Sequence, residues 1–378
     1  MEGREPDTSL PLLYAVLYGG YGALSPFLPA FLESRSLTAG EIGTLLAGAM
    51  LVRLAAGPLV ARRADRRGTV RRSLGTGFAL SAALTLAFLG GQGFPLLLAT
   101  ALAQAAATAP LAPLADAVAL AGNGGCAYGR IRAAGSAAFI ATTILTGHLV
   151  GAFGHGAGLF ACAVLFAAGA ALTRRLRAAS ATAPDDDPVG GFGALAADAH
   201  FRRLVLAAAL VIGAHAMHDT FAVIVWQAAG IGPRTVGLLW AEAVAAEVAV
   251  FLWLGPRLIE HVGPARALAL AGIAGALRWS VQAQTAWLPA LAAIQALHGL
   301  TFALLHLACL RLIAELVPDR RRATALALYG TFGLGLASAL MTLASGPLYG
   351  RFGTKGFWMM AVVSLSAVPV ARALMRIR

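Results

Sequence analysis

The sequence predicts an all-α membrane protein with twelve transmembrane helices arranged as two six-helix bundles. Three observations lead to this fold class: the apolar composition, twelve apolar runs of membrane-spanning length, and a polar segment at the middle of the chain. Of the 378 residues, 59% are hydrophobic and only 12% are charged. A soluble domain has no use for so much apolar surface, so we expect a polytopic protein surrounded by lipid.

Twelve apolar runs are each long enough to cross a hydrocarbon core of about 30 Å. Breaks rich in glycine and proline separate the runs and predict turns. The 44 glycines fit membrane helices whose backbones approach closely. The runs lie at 10–32, 40–61, 73–92, 94–120, 131–153, 156–173, 203–229, 235–256, 265–286, 288–314, 323–347 and 355–374.

The positive charges predict that both termini are cytoplasmic. With the N-terminus inside, twenty-two of the 29 lysine and arginine residues fall in cytoplasmic segments, and four fall in outer loops. The other three, Arg53, Arg278 and Arg311, lie inside apolar runs. This excess is the positive-inside signal of a bacterial-type inner membrane protein. It explains the net charge of +12 without a nucleic-acid partner.

A polar segment after the sixth run divides the chain. The prediction is an N-terminal bundle at 1–178, a cytoplasmic linker at 179–200 and a C-terminal bundle at 201–378. Three glycines at the end of the fifth run recur 199 residues later at the end of the eleventh, and a Gly-Pro pair ends both the second run and the eighth. These matches predict a duplicated chain, with a solute site near the membrane midplane between the two halves.

The loop after the second run reads ARRADRRGTVRR and resembles the loop signature of major facilitator transporters. Asp65, Arg66, Gly68 and Arg71 match the signature, whereas Ala61 stands where the family has a glycine. In that family the aspartate helps to hold the inward gate, so the resemblance implies a gating loop. The alternative is a merely basic cytoplasmic loop.

A more specific resemblance runs through the second half of the chain. Its motifs are WQAAG from Trp226, GLLW from Gly237, AEV from Ala246, Arg278-Trp279, and QALHGLTF from Gln295 with His306 beyond it. These motifs resemble the phenylpropionate permease branch of the lactose permease-like group, and YGRIRAAGS from Tyr128 resembles the start of that group's fifth helix. The resemblance covers essentially the whole chain. It implies a monomeric proton symporter for a small organic solute, working by alternating access.

Ionisable residues inside apolar runs are the candidate site, because such groups are costly at that depth. Glu247 is the leading proton carrier, since burial favours its neutral form and a nearby cation such as Arg278 favours its charged form. A fixed Glu247–Arg278 ion pair is the structural alternative. His298 is expected to relay the proton or bind the solute, since imidazole titrates near neutrality. Asp219 is a second acidic candidate for the proton.

The solute is expected to meet charged, imidazole and aromatic side chains. The candidates are Arg53, Arg278, Trp279, Phe302, Asp116, Arg132 and His215. Regular helical spacing also places Gln295, His298, Phe302 and His306 on one face of the tenth run. Of these, His306 lies nearest the cytoplasm and is interpreted as structural.

In the first half of the chain, Arg53 and the Asp116–Arg132 pair each have a second possible role. The guanidinium of Arg53 suits a solute carboxylate because it offers planar, bidentate donors; pairing with Asp116 is its alternative. Asp116 and Arg132 resemble the acidic–basic pair with which lactose permease-like proteins bind sugar, and a gate salt bridge is equally open.

The favoured function is proton-coupled symport of a small organic acid resembling 3-phenylpropionate. The alternatives are a sugar or nucleoside symporter, a drug/proton efflux antiporter and, from another class, an intramembrane enzyme or a non-transporting sensor. The sequence has no His-Glu-x-x-His motif, no Gly-x-Ser-x-Gly turn and no Walker A loop. We therefore expect no enzyme activity, no metal and no cofactor, with the proton gradient as driving force.

Overall fold

The computed structural model describes residues 9–122, 125–176 and 192–375, and every regular element in these ranges is helical. The predicted all-α class is confirmed. The two termini and most of the predicted linker lie outside the described residues. The described part of the linker contains one short helix, Phe192–Ala197.

Twelve helices follow the twelve predicted runs. They are α1 (Ser9–Leu24, continued after a bend by Leu28–Ser34), α2 (Ala39–Arg66), α3 (Val70–Gly90), α4 (Phe94–Leu120), α5 (Tyr128–Phe153), α6 (Gly156–Thr173), α7 (Ala199–Ala228), α8 (Pro233–Val262), α9 (Pro264–Gln282), α10 (Leu288–Leu316), α11 (Arg322–Leu328, Tyr329–Leu336 and Ala337–Phe352) and α12 (Phe357–Leu365 and Ala367–Met375). The chain therefore has the predicted number of helical segments within the residues that are described.

Length and hydropathy qualify nine of these described segments as membrane spans, or ten if the two arms of α1, bent by 40°, form one span. The remaining difference from twelve has two sources. The helix α9 contains two arginines, Arg266 and Arg278, which lower its hydropathy. The helices α11 and α12 lie in one apolar stretch, Asp319–Met375, which a turn at Gly353–Gly356 divides.

Glycine and proline mark the helix boundaries as predicted. Gly93 and Gly230 have positive φ angles of 72° and 86°, which glycine adopts without strain. The helix α8 begins at Pro233, where the missing backbone N–H costs nothing. The predicted breaks before α4 and α8 are thus confirmed.

Contacts divide the chain into two compact units. Unit 1 comprises Met1–Ser36, Val52–Asp185 and Pro233–Leu238. Unit 2 comprises Leu37–Leu51, Asp186–Gly232 and Leu239–Arg378. The helices α2 and α8 are each shared between the units, a division that apolar run length does not predict.

Glycines explain why these two helix ends pack as they do. Within unit 2, a Cβ on Gly43 would lie 3.0 Å from the carbonyl oxygen of Thr342. Within unit 1, a Cβ on Gly237 would lie 2.9 Å from the carbonyl oxygen of Thr143. Since glycine has no Cβ, the backbones approach closely at both positions.

The loop between α2 and α3 turns at Gly68, whose φ of 60° lies in the left-handed region. The Gly68 N–H donates to the carbonyl oxygen of Asp65 at 3.1 Å, which ends α2. Arg71 donates from Nη1 to the carbonyl oxygen of Leu176 at 3.0 Å, whereas Arg66 is exposed. These contacts show that Gly68 and Arg71 have structural roles in the loop. The gating role of the loop stays a prediction.

Three helices of unit 2 contain π-helical turns. They are Val250–Leu254 in α8, Leu300–Leu304 in α10 and Tyr329–Leu336 in α11, and the described residues contain no others. A π turn bonds residue i to i+5, so it takes one residue more than an α turn. The predicted common face on α10 assumed regular α-helical spacing. The π turn interrupts that spacing between His298 and His306, and the common face itself stays a prediction.

Candidate functional site

An arginine at the centre of unit 2 is enclosed by neutral hydrogen-bond acceptors. Arg278 is 0% exposed. Its Nη1 donates to Thr301 Oγ1 at 2.8 Å, to His298 Nδ1 at 3.2 Å and to His215 Nε2 at 3.3 Å. Its Nη2 donates to Gln295 Oε1 at 3.1 Å. Among the described residues, no carboxylate forms an ion pair with this guanidinium.

The partners of the two histidines determine their tautomers. A guanidinium only donates, so each ring nitrogen that faces Arg278 is an unprotonated acceptor. In His215, Nδ1 lies 2.9 Å from the carbonyl oxygen of Val211 and therefore has the hydrogen. In His298, Nδ1 faces Arg278, so the hydrogen is on Nε2, which lies 3.5 Å from Glu247 Oε2. Both imidazoles are therefore neutral.

His298 separates the predicted proton carrier from the arginine. The Glu247–Arg278 ion pair considered from the sequence is not formed, because the imidazole ring contacts both groups. The side chains of Glu247 and His298 are 24% and 16% exposed, so the carboxyl group retains access to solvent. The arrangement links a group that can bind a proton to a fixed cation through one neutral ring.

A glycine allows α8 and α10 to approach closely enough for this contact. A Cβ on Gly299 would lie 2.5 Å from the carbonyl oxygen of Ala246 and 2.7 Å from Val250 Cγ2. Both distances are shorter than a normal van der Waals contact. Gly299 and Ala246 are the chain neighbours of His298 and Glu247, so the close approach positions both site residues.

An aromatic cluster adjoins Arg278. The ring of His218 stacks on Trp240 at 5.2 Å and contacts Trp226 at 5.6 Å and Trp279 at 5.4 Å, measured between ring centroids. Its Nδ1 lies 3.1 Å from Gln282 Oε1. Trp279 is fully buried, so in this structure it supports the cluster and does not meet solvent. Its contact with a solute stays a prediction.

Two other predicted residues of unit 2 are accessible. Asp219, in the second half of α7, is an exposed residue whose carboxyl group interacts electrostatically with Arg278. Phe302 is 36% exposed, and its ring stacks on His298 at 5.6 Å. The structure therefore places an acidic side chain and an aromatic face where a solute could reach them, and it encloses Arg278 and His215.

Unit 1 contains a second polar cluster around Asp116. The hydroxyls of Tyr14 and Tyr128 both donate to its Oδ1, the latter at 3.0 Å. Arg132 Nη1 lies 3.8 Å from the same oxygen and also donates to the hydroxyl of Tyr18. The structure thus brings the predicted Asp116–Arg132 pair together, and both side chains are partly exposed.

Arg53 lies outside this cluster. Arg53 as a whole residue is exposed, and among the described residues it forms no ion pair with a carboxylate. The alternative pairing with Asp116 is therefore not formed, and Tyr21 is the neighbour that acts on Arg53 electrostatically. Binding of a solute anion by Arg53 stays a prediction.

Sequence reasoning missed Tyr14, Tyr128, Thr301 and Trp240. A signal existed for two of them. Tyr14, Tyr18 and Tyr21 follow the helical spacing of four and three that places side chains on one face. Thr301 follows His298 by three residues and shares its face for the same reason. The other two have no such pattern.

Replacing Tyr14 with phenylalanine is expected to lower the free energy of unfolding by about 2 kcal/mol, because the carboxylate of Asp116 loses the hydroxyl donor of a fully buried tyrosine. The measurement is thermal unfolding of the purified protein in detergent. Tyr21→Phe is the matched control, since its hydroxyl bonds a neutral carbonyl oxygen of Thr108 at a long 3.4 Å. Equal effects of the two substitutions would show that the bond to Asp116 contributes nothing special.

Comparison with known proteins gives the same fold and relatives along the whole chain. The model of the MFS_1 like family matches residues 8–360. The chain is 31% identical to a probable 3-phenylpropionic acid transporter of Escherichia coli (strain K12), over 95% of each chain. It is 30% identical to a maltose permease of Geobacillus stearothermophilus, over 91% of this chain and 88% of the relative.

Solved structures at low identity agree on the fold. The nucleoside transporter NupG (D323A mutant) superposes with a TM-score of 0.85 at 15% identity, over 97% of this chain and 98% of that chain. A bacterial homolog to the human lysosomal transporter Spinster superposes with a TM-score of 0.76, also at 15% identity, over 97% of this chain and 96% of that chain. At this identity the likeness establishes the architecture, and the cargo has to be argued from the site.

Proposed function

The chain belongs to the MFS_1 like family of major facilitator transporters, and on that premise we propose that it is a proton-coupled symporter for a small aromatic acid such as 3-phenylpropionate. The proposal includes a bacterial-type inner membrane, cytoplasmic termini, alternating access and a monomer without nucleic acid or cofactor. The cargo is proposed because the Escherichia coli relative is named for 3-phenylpropionic acid.

The observation that carries the proposal is the contact of Glu247 with His298 and of His298 with Arg278, at 3.5 and 3.2 Å. A carboxylate solute approaching Glu247 is repelled unless Glu247 is protonated. Proton binding and anion binding therefore favour each other, which is the thermodynamic requirement for symport. Phe302, accessible beside His298, offers an aromatic face for the ring of the solute.

Further contacts are assigned on exposure and charge. Arg53 is proposed to bind the solute carboxylate, because it is a cation within a predicted membrane span and has no carboxylate partner among the described residues. Asp219 is proposed as a second proton-binding group because it is exposed. Arg278 and His215 are proposed to act by holding His298 neutral and oriented.

The test is uptake of labelled 3-phenylpropionate into proteoliposomes, with and without an inwardly directed proton gradient. Wild type is expected to accumulate the solute when the gradient is imposed. Glu247→Gln mimics the protonated carboxyl group, so it is expected to retain solute exchange but to lose at least about tenfold of gradient-driven accumulation. Exchange by wild type should fall as pH rises, because a deprotonated Glu247 repels the anion, and the variant should lose this dependence.

Glu242→Gln is the matched control, because Glu242 lies on the same helix and has no contact with His298. It is expected to behave like wild type. Uptake that ignores the proton gradient would contradict the coupling. A wild-type protein that ignores 3-phenylpropionate under every gradient would contradict the assigned cargo.

A sugar or nucleoside is the second candidate cargo, favoured by the cluster in unit 1. Asp116 and Arg132 are 32% and 45% exposed and lie among tyrosine hydroxyls, which suit the hydroxyl groups of a sugar. Under this candidate, Asp116→Asn should abolish uptake of maltose or uridine by proteoliposomes. If neither compound is taken up by wild type, this cargo class is wrong.

A further inference from the structure

Trp240 on α8 is the accessible ring of the aromatic cluster that adjoins Arg278. Trp240 is half-buried. The rings that contact it or its neighbours, those of His218, Trp226 and Trp279, are all buried. A cluster that covers three rings and leaves the fourth partly uncovered presents that fourth ring to whatever lies beside it. The function proposed above gives Trp240 no part.

The buried members of the cluster hold Trp240 in one orientation. The ring of His218 lies nearly parallel to Trp240, with 15° between the planes and 5.2 Å between the centroids. His218 is itself fixed, since its Nδ1 lies 3.1 Å from Oε1 of the buried Gln282. Trp226 contacts Trp240 at 68° and 6.3 Å. Because His218 occupies one face of the indole, the accessible surface of Trp240 belongs to the opposite face and the ring edges.

The geometry of α8 turns this surface away from lipid. The helix is regular from Pro233 to Ala249, so each residue advances about 100° around the axis. Leu238 and Ala245 are exposed and lie seven residues apart, which makes them an apolar stripe suited to lipid. Trp240 follows Leu238 by two residues and therefore points about 200° away from it. The exposure of Trp240 thus lies on the side of α8 opposite to the stripe.

Trp240 shares its side of α8 with the proposed proton carrier. Glu247 follows Trp240 by seven residues, which is two helical turns and about 10 Å along the axis. Its carboxyl group contacts His298 at 3.5 Å, and its side chain is partly accessible. Acidic side chains in membrane helices face the protein interior or a water-filled cavity. The indole and the carboxyl group therefore border the same side of α8.

The pair of Trp240 and His218 repeats an arrangement found beside Glu247. There the ring of Phe302 lies parallel to His298, with 16° between the planes and 5.6 Å between the centroids. In both places an imidazole that is fixed by a hydrogen bond supports an aromatic ring with accessible surface. Trp240 has the larger ring of the two. It therefore meets the same criteria by which Phe302 is assigned to the ring of the solute.

We propose that Trp240 is a specificity-determining residue that stacks on a planar ring of the solute, with His218 as the positioning residue behind it. The proposal rests on the proposed transport function and adds the property that the site selects. A flat aromatic ring can lie against the whole indole at van der Waals distance. A puckered, saturated ring of the same size touches it at fewer points, so the aromatic compound is favoured.

The test is calorimetric binding to the full-length protein in detergent, with 3-phenylpropionate and its saturated counterpart 3-cyclohexylpropionate as probes. Wild type is expected to bind the aromatic acid about tenfold more tightly than the saturated one. Trp240→Leu keeps an apolar side chain without a ring, so it should lose most of this preference. Trp253→Leu, on the same helix at a residue that is 59% exposed, is the control and should keep it. If Trp240→Leu binds 3-phenylpropionate as wild type does, only the present inference is wrong.

Two substitutions test the support that His218 gives. His218→Ala removes the ring behind Trp240 and should lower the preference for the aromatic acid, whereas His218→Phe keeps a flat ring and should restore part of it. Thermal unfolding of the same preparations measures stability separately. A loss of stability in His218→Ala with an unchanged preference would show that His218 does not position Trp240. If that variant does not fold, His218→Phe and Trp240→Leu still decide the proposal.

A labelling experiment tests the orientation of Trp240 without reference to the cargo. In a background with the three native cysteines replaced by alanine, Trp240→Cys should react with a charged methanethiosulfonate reagent, which attacks thiols that water reaches. Ala245→Cys, on the lipid-facing stripe, is the control and should not react. A Trp240→Cys protein that does not react, or that reacts no faster than Ala245→Cys, overturns the proposal.

Uridine and maltose separate a failure of this inference from a failure of the proposed cargo. If wild type binds uridine and not 3-phenylpropionate, and Trp240→Leu weakens the binding of uridine, the cargo is wrong and the role of Trp240 stands. If Trp240→Leu leaves the binding of uridine unchanged, both are wrong. Both are also wrong if wild type binds neither of the two aromatic compounds, whether or not it binds maltose.

Discussion

An Arg278→Lys variant is expected to take up 3-phenylpropionate about a hundredfold more slowly than wild type, although it keeps the positive charge. The guanidinium reaches acceptors on both α7 and α10 through two nitrogens. A lysine ammonium is a single point on a flexible stem and cannot reach all of these acceptors at once. His298 would lose its fixed donor, and with it the tautomer that presents Nε2–H to Glu247.

Initial uptake rates and thermal unfolding of the same preparations separate transport from folding. Arg266→Lys is the control, because Arg266 lies on the same helix and is exposed. It is expected to match wild type in both measurements. A folded Arg278→Lys protein with normal uptake would mean that the position requires only a charge and that its hydrogen-bond geometry is irrelevant.

A Gly299→Ala variant is expected to lose about 2 kcal/mol of unfolding free energy and most of its gradient-driven uptake. The added Cβ would lie 2.5 Å from a backbone oxygen, that of Ala246, which cannot move without the helix. The helix α8 must therefore shift away from α10. Since Glu247 follows Ala246 in the chain, its carboxyl group moves away from His298.

Gly330→Ala is the matched control for this substitution. A Cβ at Gly330 meets nothing within 4 Å, and the residue lies in the π turn of α11. Alanine is a better helix former than glycine, so this variant should be as stable as wild type or slightly more so. If Gly299→Ala unfolds at the wild-type temperature and accumulates solute normally, the close approach of α8 and α10 does not matter for the site.

The helices and their boundaries could be predicted because hydropathy and turn residues are local properties of the chain. Glycines with positive φ and the proline at the start of α8 stand where the sequence predicted breaks. The membership in a transporter family also followed from local motifs, since the second-half motifs resemble the branch to which the Escherichia coli relative belongs. Local information was sufficient for these conclusions.

The contacts inside the site were harder to predict because they depend on how each helix is rotated about its axis. The sequence left a Glu247–Arg278 ion pair open as an alternative, whereas the structure places His298 between the two side chains. Trp279 was expected at the solute, and the sequence did not indicate that it would be fully buried in this structure. Rotation is set by packing between distant segments, such as the approach of Gly299 to Ala246, and no single run of sequence contains that information.

The hydroxyl donors of Asp116 were missed for a related reason. Tyr14 is 102 residues from Asp116 in the chain, and Tyr128 lies on the next helix. Neither separation identifies the tyrosine as a partner of the carboxylate. Only the three-dimensional arrangement distinguishes a tyrosine that binds a carboxylate from one that packs. The Asp116–Arg132 pair itself was predicted by family resemblance, and the structure brings it together.

The π turn in α10 sets how the residues after it are rotated about the helix axis. We call this rotation the phase of the helix. The part of α10 that follows the π turn is turned, relative to an unbroken α-helix, by about the 100° that one residue contributes to a helix. Substitution scans change side chains and preserve chain length, so they leave this phase as it is. Deleting Ala303 would preserve every polar side chain of the site, yet it would turn His306 away from Tyr329. In this segment, the number of residues carries information that their identities do not.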